Sequence, residues 1–136
     1  LGKSETTVAD ANDILMVCIG GSIGKCAIAS SGIAFNQQIN SIKPLLVIPK
    51  YSYLSMKSSV FQEKVLSTAT GSATPIINRS KWEEIMIPMP PLAEQNRIVA
   101  KVDALMALCD QLETNIRTKD ETASRYAEAV VQELAA

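Results

Sequence analysis

The chain has 136 residues, 47% of them hydrophobic, enough for one small domain, alone or with an extended element, and too apolar for wholesale disorder. The net charge of −1 argues against a generally basic nucleic-acid binder, and the lack of histidine, with Cys18, Cys26 and Cys109 in no C-x-x-C pair, argues against a zinc site. No apolar run is long enough to span a membrane and no signal-peptide pattern opens the chain, so reduced thiols, a cytoplasmic setting and no membrane partner are expected.

The chain begins with Leu1 rather than Met and reads as a fragment of a longer protein. Residues 1–12 are polar and irregular. Residues 13–19 form a short apolar run whose length and β-branched content favour a buried strand over a helix. Residues 20–24, Gly-Gly-Ser-Ile-Gly, are a turn, residues 25–29 a returning strand, and residues 30–32 a second turn. Further strands are expected over 33–35 and 39–48, with Pro44 marking an edge position or a break. From 51 to 66 the period changes: Leu54, Met56, Val60, Phe61 and Val65 fit one or two short amphipathic helices, broken near Ser58-Ser59. Residues 68–75 are a small, polar loop. Residues 81–84 suit a helical turn capped by Ser80, and 85–87 a last short strand.

Three prolines, Pro88, Pro90 and Pro91, then close the body, because each lacks an N–H and fixes φ. Pro91 suits the first turn of a helix, and residues 92–136 contain neither Gly nor Pro. There Ile98, Val102, Leu105, Cys109, Leu112 and Ile116 alternate spacings of four and three, and the frame continues through Lys119, Ala123, Tyr126 and Val130. That is a heptad seam. A helix of about 43 residues would reach about 64 Å, well beyond a small domain of about 30 Å. Its apolar stripe implies a partner helix; folding back on its own body could cover only part of it. The expected fold class is α+β: a small mixed-sheet domain over 1–90, incomplete at its N-terminus, followed by a long coiled-coil-type helix over 91–136.

Charge divides along the same line. Residues 20–82 hold seven basic residues against Glu63 alone, whereas residues 83–136 hold five basic and ten acidic ones. A basic body on an acidic helix can meet an anion with the first part only, unless this is ordinary surface scatter. Residues 20–25 fall short of a P-loop: too few residues separate Gly20 from Gly24, and Cys26 replaces the magnesium-binding hydroxyl. Ser22 and Lys25 can still offer a nucleic-acid phosphate a donor and a cation, with plain hairpin chemistry the equal alternative. Asn36, Gln37 and Gln38 are amides able to read adenine in the major groove, or simply a turn. Thr70, Gly71, Ser72 and Thr74, followed by Asn78, Arg79, Ser80 and Lys81, concentrate hydroxyls, an amide and two cations suited to phosphate contacts, or form an ordinary flexible connection. Catalytic and metal-ligating residues are not expected. No histidine serves as base, no nucleophile elbow is present and no carboxylate pair is recognisable. Asp103, Asp110, Glu113, Glu121 and Glu128 lie off the seam as a solvated face.

From Pro88 the chain runs Pro-Met-Pro-Pro-Leu-Ala-Glu-Gln-Asn-Arg-Ile-Val, which resembles the P-x-P-P-L-x-E-Q-x-x-I-V junction of the specificity subunit of type I restriction-modification enzymes. The resemblance takes in Gly21-Ser22-Ile23-Gly24-Lys25, Ala34-Phe35-Asn36-Gln37 and Ala69-Thr70-Gly71-Ser72, and downstream residues 105–113, so it covers nearly everything from Asp13 onward. It implies a target recognition domain that reads one half of a split site in double-stranded DNA. It also implies a long helix that acts as spacer, packs against another helix of the same subunit or a second copy, and docks the methyltransferase subunits and, through them, the restriction subunit. On that footing Lys25, Arg79 and Lys81 contact phosphates. Ser22, Thr70, Gly71, Ser72 and Thr74 shape the DNA-facing loops. Asn36, Gln37 and Gln38 are candidates for base readout, and Ile98, Val102, Leu105, Leu112 and Ile116 form the packing seam. Methyl donor and ATP belong to partner subunits, so no cofactor is expected and the chain is not itself an enzyme. The competing reading is a coiled-coil interaction module with a small α+β head that never touches DNA. A free-standing adenine methyltransferase fails on sequence: Met89-Pro90-Pro91-Leu92 does not supply [DNS]-P-P-[YFW].

Overall fold

The structure, a computed structural model, describes residues 7–135. Of the irregular opening expected over residues 1–12, residues 1–6 lie outside the described residues, and residues 7–9 form a strand instead. By internal contacts the chain forms two units, Leu1–Val99 and Ala100–Ala136.

The first unit is built on β2 (Ile14–Val17), the centre of a three-stranded antiparallel sheet between β3 (Cys26–Ile28) and β5 (Ile39–Ile42). Register is set by Met16 opposite Cys26 on one side and Asn40 on the other. The strand alternates as a half-buried strand should, with Ile14 and Met16 fully buried. Each such side chain contributes about 2 kcal/mol of apolar burial. A separate antiparallel pair joins β1 (Thr7–Ala9) to β4 (Ile33–Phe35). The fold is α+β, as expected, and every pairing among the described strands is antiparallel.

The strand expected over 39–48 stops at Ile42. Pro44 cannot donate to a ladder, and Leu45 and Leu46 are exposed, so nothing rewards continuation. The chain then enters α1 (Pro49–Lys57) with its proline at N1, and α2 (Ser59–Thr68) follows at once. The break falls at Ser58, whose Oγ accepts from Phe61 N at 3.3 Å as the N-cap of α2. α1 packs on β2 and β3, and α2 on α1 and α3 (Arg79–Glu83). Asn78, not Ser80, caps α3: its Oδ1 accepts from Lys81 N at 3.0 Å, and the Ser80 hydroxyl donates to the same oxygen. Ile14, Met16, Cys18, Met56, Phe61, Val65, Ile77 and Trp82 form the core.

Residues 85–87 have the alternation of a strand, Ile85 and Ile87 against the core and Met86 out, but no ladder partner among the described residues. α4 (Leu92–Leu134) begins where Pro91 O accepts from Glu94 N and Gln95 N at 2.9 and 3.1 Å. Gln95 is buried. Its Oε1 accepts from Ile48 N at 2.9 Å and its Nε2 donates to Pro90 O at 2.8 Å. The Tyr51 hydroxyl donates to Pro88 O at 2.9 Å. The proline segment, which has few donors of its own, is thus held by side chains. Residues 92–99 of α4 belong to the first unit and the rest to the second, where every described residue except Val102 is exposed.

Candidate nucleic-acid interface

Cys18 is the post on which the candidate loops hang. Its N–H donates to Gln38 O at 2.8 Å, and its carbonyl accepts from Ile77 N at 3.0 Å. Two residues on, Gly20 N donates to Pro75 O at 2.8 Å, and Ile19 bridges Ile76. Residues 20–25, 36–38 and 70–79 are remote in sequence yet fastened to one short stretch. All eleven side-chain positions singled out for nucleic acid, Ser22, Lys25, Asn36, Gln37, Gln38, Thr70, Gly71, Ser72, Thr74, Arg79 and Lys81, are exposed there.

The first loop is a single 3-10 turn, Gly20–Ser22, between β2 and β3. Gly20 and Gly24 take φ of 74° and 86°, a region that side chains with a Cβ rarely enter. Lys25 N donates to Ser22 O at 3.1 Å, and Val17 N to Lys25 O at 2.9 Å, which returns the chain to the sheet. Gln62 of α2 donates from Nε2 to Gly24 O at 2.9 Å and to Met56 O at 2.6 Å.

The second loop is closed by reciprocal bonds between Thr70 and Ile76, at 2.9 and 2.8 Å. Within it Gly71 has φ 95°, and a Cβ there would collide with the Thr74 carbonyl. The stretch is therefore a turn closed by its own backbone bonds.

In the third stretch Asn36 Oδ1 accepts from Gln38 N at 3.0 Å. That occupies one of the two lone pairs of the acceptor a bidentate adenine contact needs and ties the Asn36 amide to its own turn, so Gln37 and Gln38 are the freer candidates for reading a base. Asn36 and Gln37 line a cleft of about 310 Å³ with Thr7, Ser41, Arg79 and Trp82. Arg79 Nε donates to Glu83 Oε1 at 2.6 Å, so a phosphate would have to compete with that carboxylate. The buried Trp82 Nε1 has no hydrogen-bond partner.

The thiols beside the site are poised to stay neutral. Burial pushes Cys26 up to about 11; the neighbouring Cys18 adds to this and Lys57 opposes it. Burial also raises Cys18, against hydrogen bonding from Asn40. Gln62 carries no signal of its bond to Gly24 O in the sequence. A glutamine in an amphipathic helix carries no local mark of the carbonyl it will reach.

Along α4 the seam positions Leu105, Leu112 and Ile116 are each half or more exposed, while Ile98 and Val102 are partly covered. No helix among the described residues is long and apolar enough to cross a membrane.

A family model described as "Type I restriction modification DNA specificity domain" matches residues 1–120. Over 134 residues the chain is 29% identical to the type I restriction enzyme EcoBI specificity subunit of Escherichia coli, covering 92% of this chain and 28% of that protein. It is 46% identical over 65 residues to the EcoAI specificity subunit, also from Escherichia coli, covering 47% of this chain and 11% of that protein. Among solved structures, the type-I restriction-modification S subunit from M. genitalium matches with a TM-score of 0.58 and 26% identity, over 86% of this chain and 32% of that one. The chain thus spans a third or less of the length of each of these relatives.

Proposed function

Because the chain belongs to the type I restriction-modification DNA specificity family, we propose that it reads one half of a split double-stranded DNA site as part of a specificity subunit. In this reading residues 1–90 are the target recognition domain. Residues 91–136 are a helical spacer that packs on a partner helix and docks the methyltransferase subunits, and through them the restriction subunit. The protein performs no chemistry and holds no cofactor; its partners supply both, in the cytoplasm.

The observation that carries the reading is the convergence of residues 20–25, 36–38 and 70–79 on Cys18–Gly20, on the basic part of the chain. Lys25, Arg79 and Lys81 serve as phosphate contacts, Gln37 and Gln38 as readers of bases, with Asn36 holding their turn. Ser22, Thr70, Gly71, Ser72 and Thr74 shape the loop surface between them. Phosphate contacts position a protein on DNA, and base-edge contacts supply its sequence preference.

The test is to purify the complete parent subunit with its methyltransferase and select from random duplex DNA at two salt concentrations. A split, two-part site recovered with the methyltransferase bound is the expected result. Affinity should fall steeply with salt, as released counterions require. Stable self-association with no DNA enrichment at either salt would replace the proposal with a coiled-coil interaction module.

A further inference from the structure

Gln62 sits in the middle of α2, outside every loop considered so far. Its single amide nitrogen bridges two carbonyls remote from each other: Gly24 O at 2.9 Å in the loop between β2 and β3, and Met56 O at 2.6 Å in the last turn of α1. Both acceptors lack ordinary partners. Met56 lies where a helix leaves its carbonyls unpaired, because the chain breaks at Ser58. Gly24 lies at φ 86°, in the turn rather than in the ladder. Its carbonyl also accepts from Cys26 Sγ at 3.1 Å, so both lone pairs are occupied.

The fit is close on both sides. A Cβ at Gly24 would run into Gln62 Oε1, so any other residue there would push the glutamine amide from its present seat. The Gly24 carbonyl and the Lys25 N–H belong to one rigid peptide plane. Fixing that carbonyl therefore fixes the direction in which the chain presents Lys25, and the Lys25 N–H in turn holds Ser22 O at 3.1 Å.

We infer that Gln62 is a positioning residue for DNA binding: it latches the loop carrying Ser22 and Lys25 to the junction of α1 and α2, and holds Lys25 ready for a phosphate. The inference rests on the functional reading above. A preset cation loses less freedom on binding than one on a loose turn.

The experiment is a double-mutant cycle in the complete subunit, with Gln62→Met, which keeps the length of the side chain and removes its donors, and Lys25→Ala. Duplex DNA affinity is measured across a salt series. Gln62→Met alone should weaken binding about 3- to 10-fold and lower the slope of log K against log salt by about 1, the loss of one phosphate contact. In the Lys25→Ala background it should change nothing further. Equal loss in both backgrounds, or no loss, overturns the latch while leaving the DNA reading intact. A wild-type subunit with no salt-dependent binding overturns both. If Gln62→Met does not fold, Gln62→Asn, too short to reach both carbonyls, enters the same cycle and is judged by the same coupling.

Discussion

Gln95 shows how one side chain can hold a segment that cannot hold itself. Pro88, Pro90 and Pro91 donate no backbone hydrogen bonds, so the strap between α3 and α4 lacks a ladder of its own. Gln95, buried at 1% exposure, answers with a full amide: its oxygen takes the Ile48 N–H and its nitrogen the Pro90 carbonyl. Both ends of the side chain are needed, which explains why an amide rather than a carboxylate or a hydrocarbon stands there. Gln95→Leu keeps the volume but leaves the part-buried Ile48 N–H and Pro90 carbonyl unpaired. It should cost about 1–2 kcal/mol, the low end for two groups at about 1–3 kcal/mol each when fully buried, because partial exposure lets water reach them. Urea unfolding of the wild-type and variant proteins reads this directly. An unchanged midpoint would mean that water replaces both bonds and that the amide is not a structural anchor.

At the scale of elements, what was legible in the sequence was whatever depends on near neighbours. The Ser58 break between α1 and α2, the turn at Gly20–Ser22 and the uninterrupted α4 all follow from capping, φ freedom and the absence of Gly and Pro. What was not legible depends on distant partners. β1 forms because residues 7–9 find residues 33–35, and nothing within Thr-Val-Ala announces that. Residues 85–87 carry a strand's alternation but meet no ladder partner among the described residues. The interface divides the same way. Its residue types stood out, but the bonds that gather its loops at Cys18–Gly20 are made by backbone groups, which every sequence has. The seam proposed along α4 rests on spacing, and the exposure of its positions carries a consequence. Leu105, half exposed in the chain alone, should be covered in the assembled protein. Leu105→Asp would place an unpaired charge in that contact and should dissociate the helix from its partner. Light scattering across a concentration series checks this, and an unaltered mass would remove Leu105 from the packing seam.

Across the whole molecule, charge and apolar surface fall in different parts of the chain, as the two proposed tasks require. The segment 20–82 holds seven basic residues and one acid, and every loop of the candidate interface. The segment 83–136 is acidic and carries the exposed apolar positions Leu105, Leu112 and Ile116, so its charge repels DNA phosphate while its apolar face still invites a helix. Such a division makes the tasks separable by substitution. Lys25→Glu with Lys81→Glu reverses two cations on the proposed DNA face and touches no seam position. The pair should weaken binding to all duplex sequences alike and lower the slope of log K against log salt by about 2, because phosphate contacts carry no sequence information. The mass in solution should stay that of the wild type. Filter binding across a salt series, beside light scattering on the same samples, reads both quantities. A loss confined to one target sequence would move Lys25 or Lys81 from phosphate to base edge. Unchanged affinity would take them off the DNA face, leaving Arg79, already paired with Glu83, as the remaining cation proposed to contact phosphate.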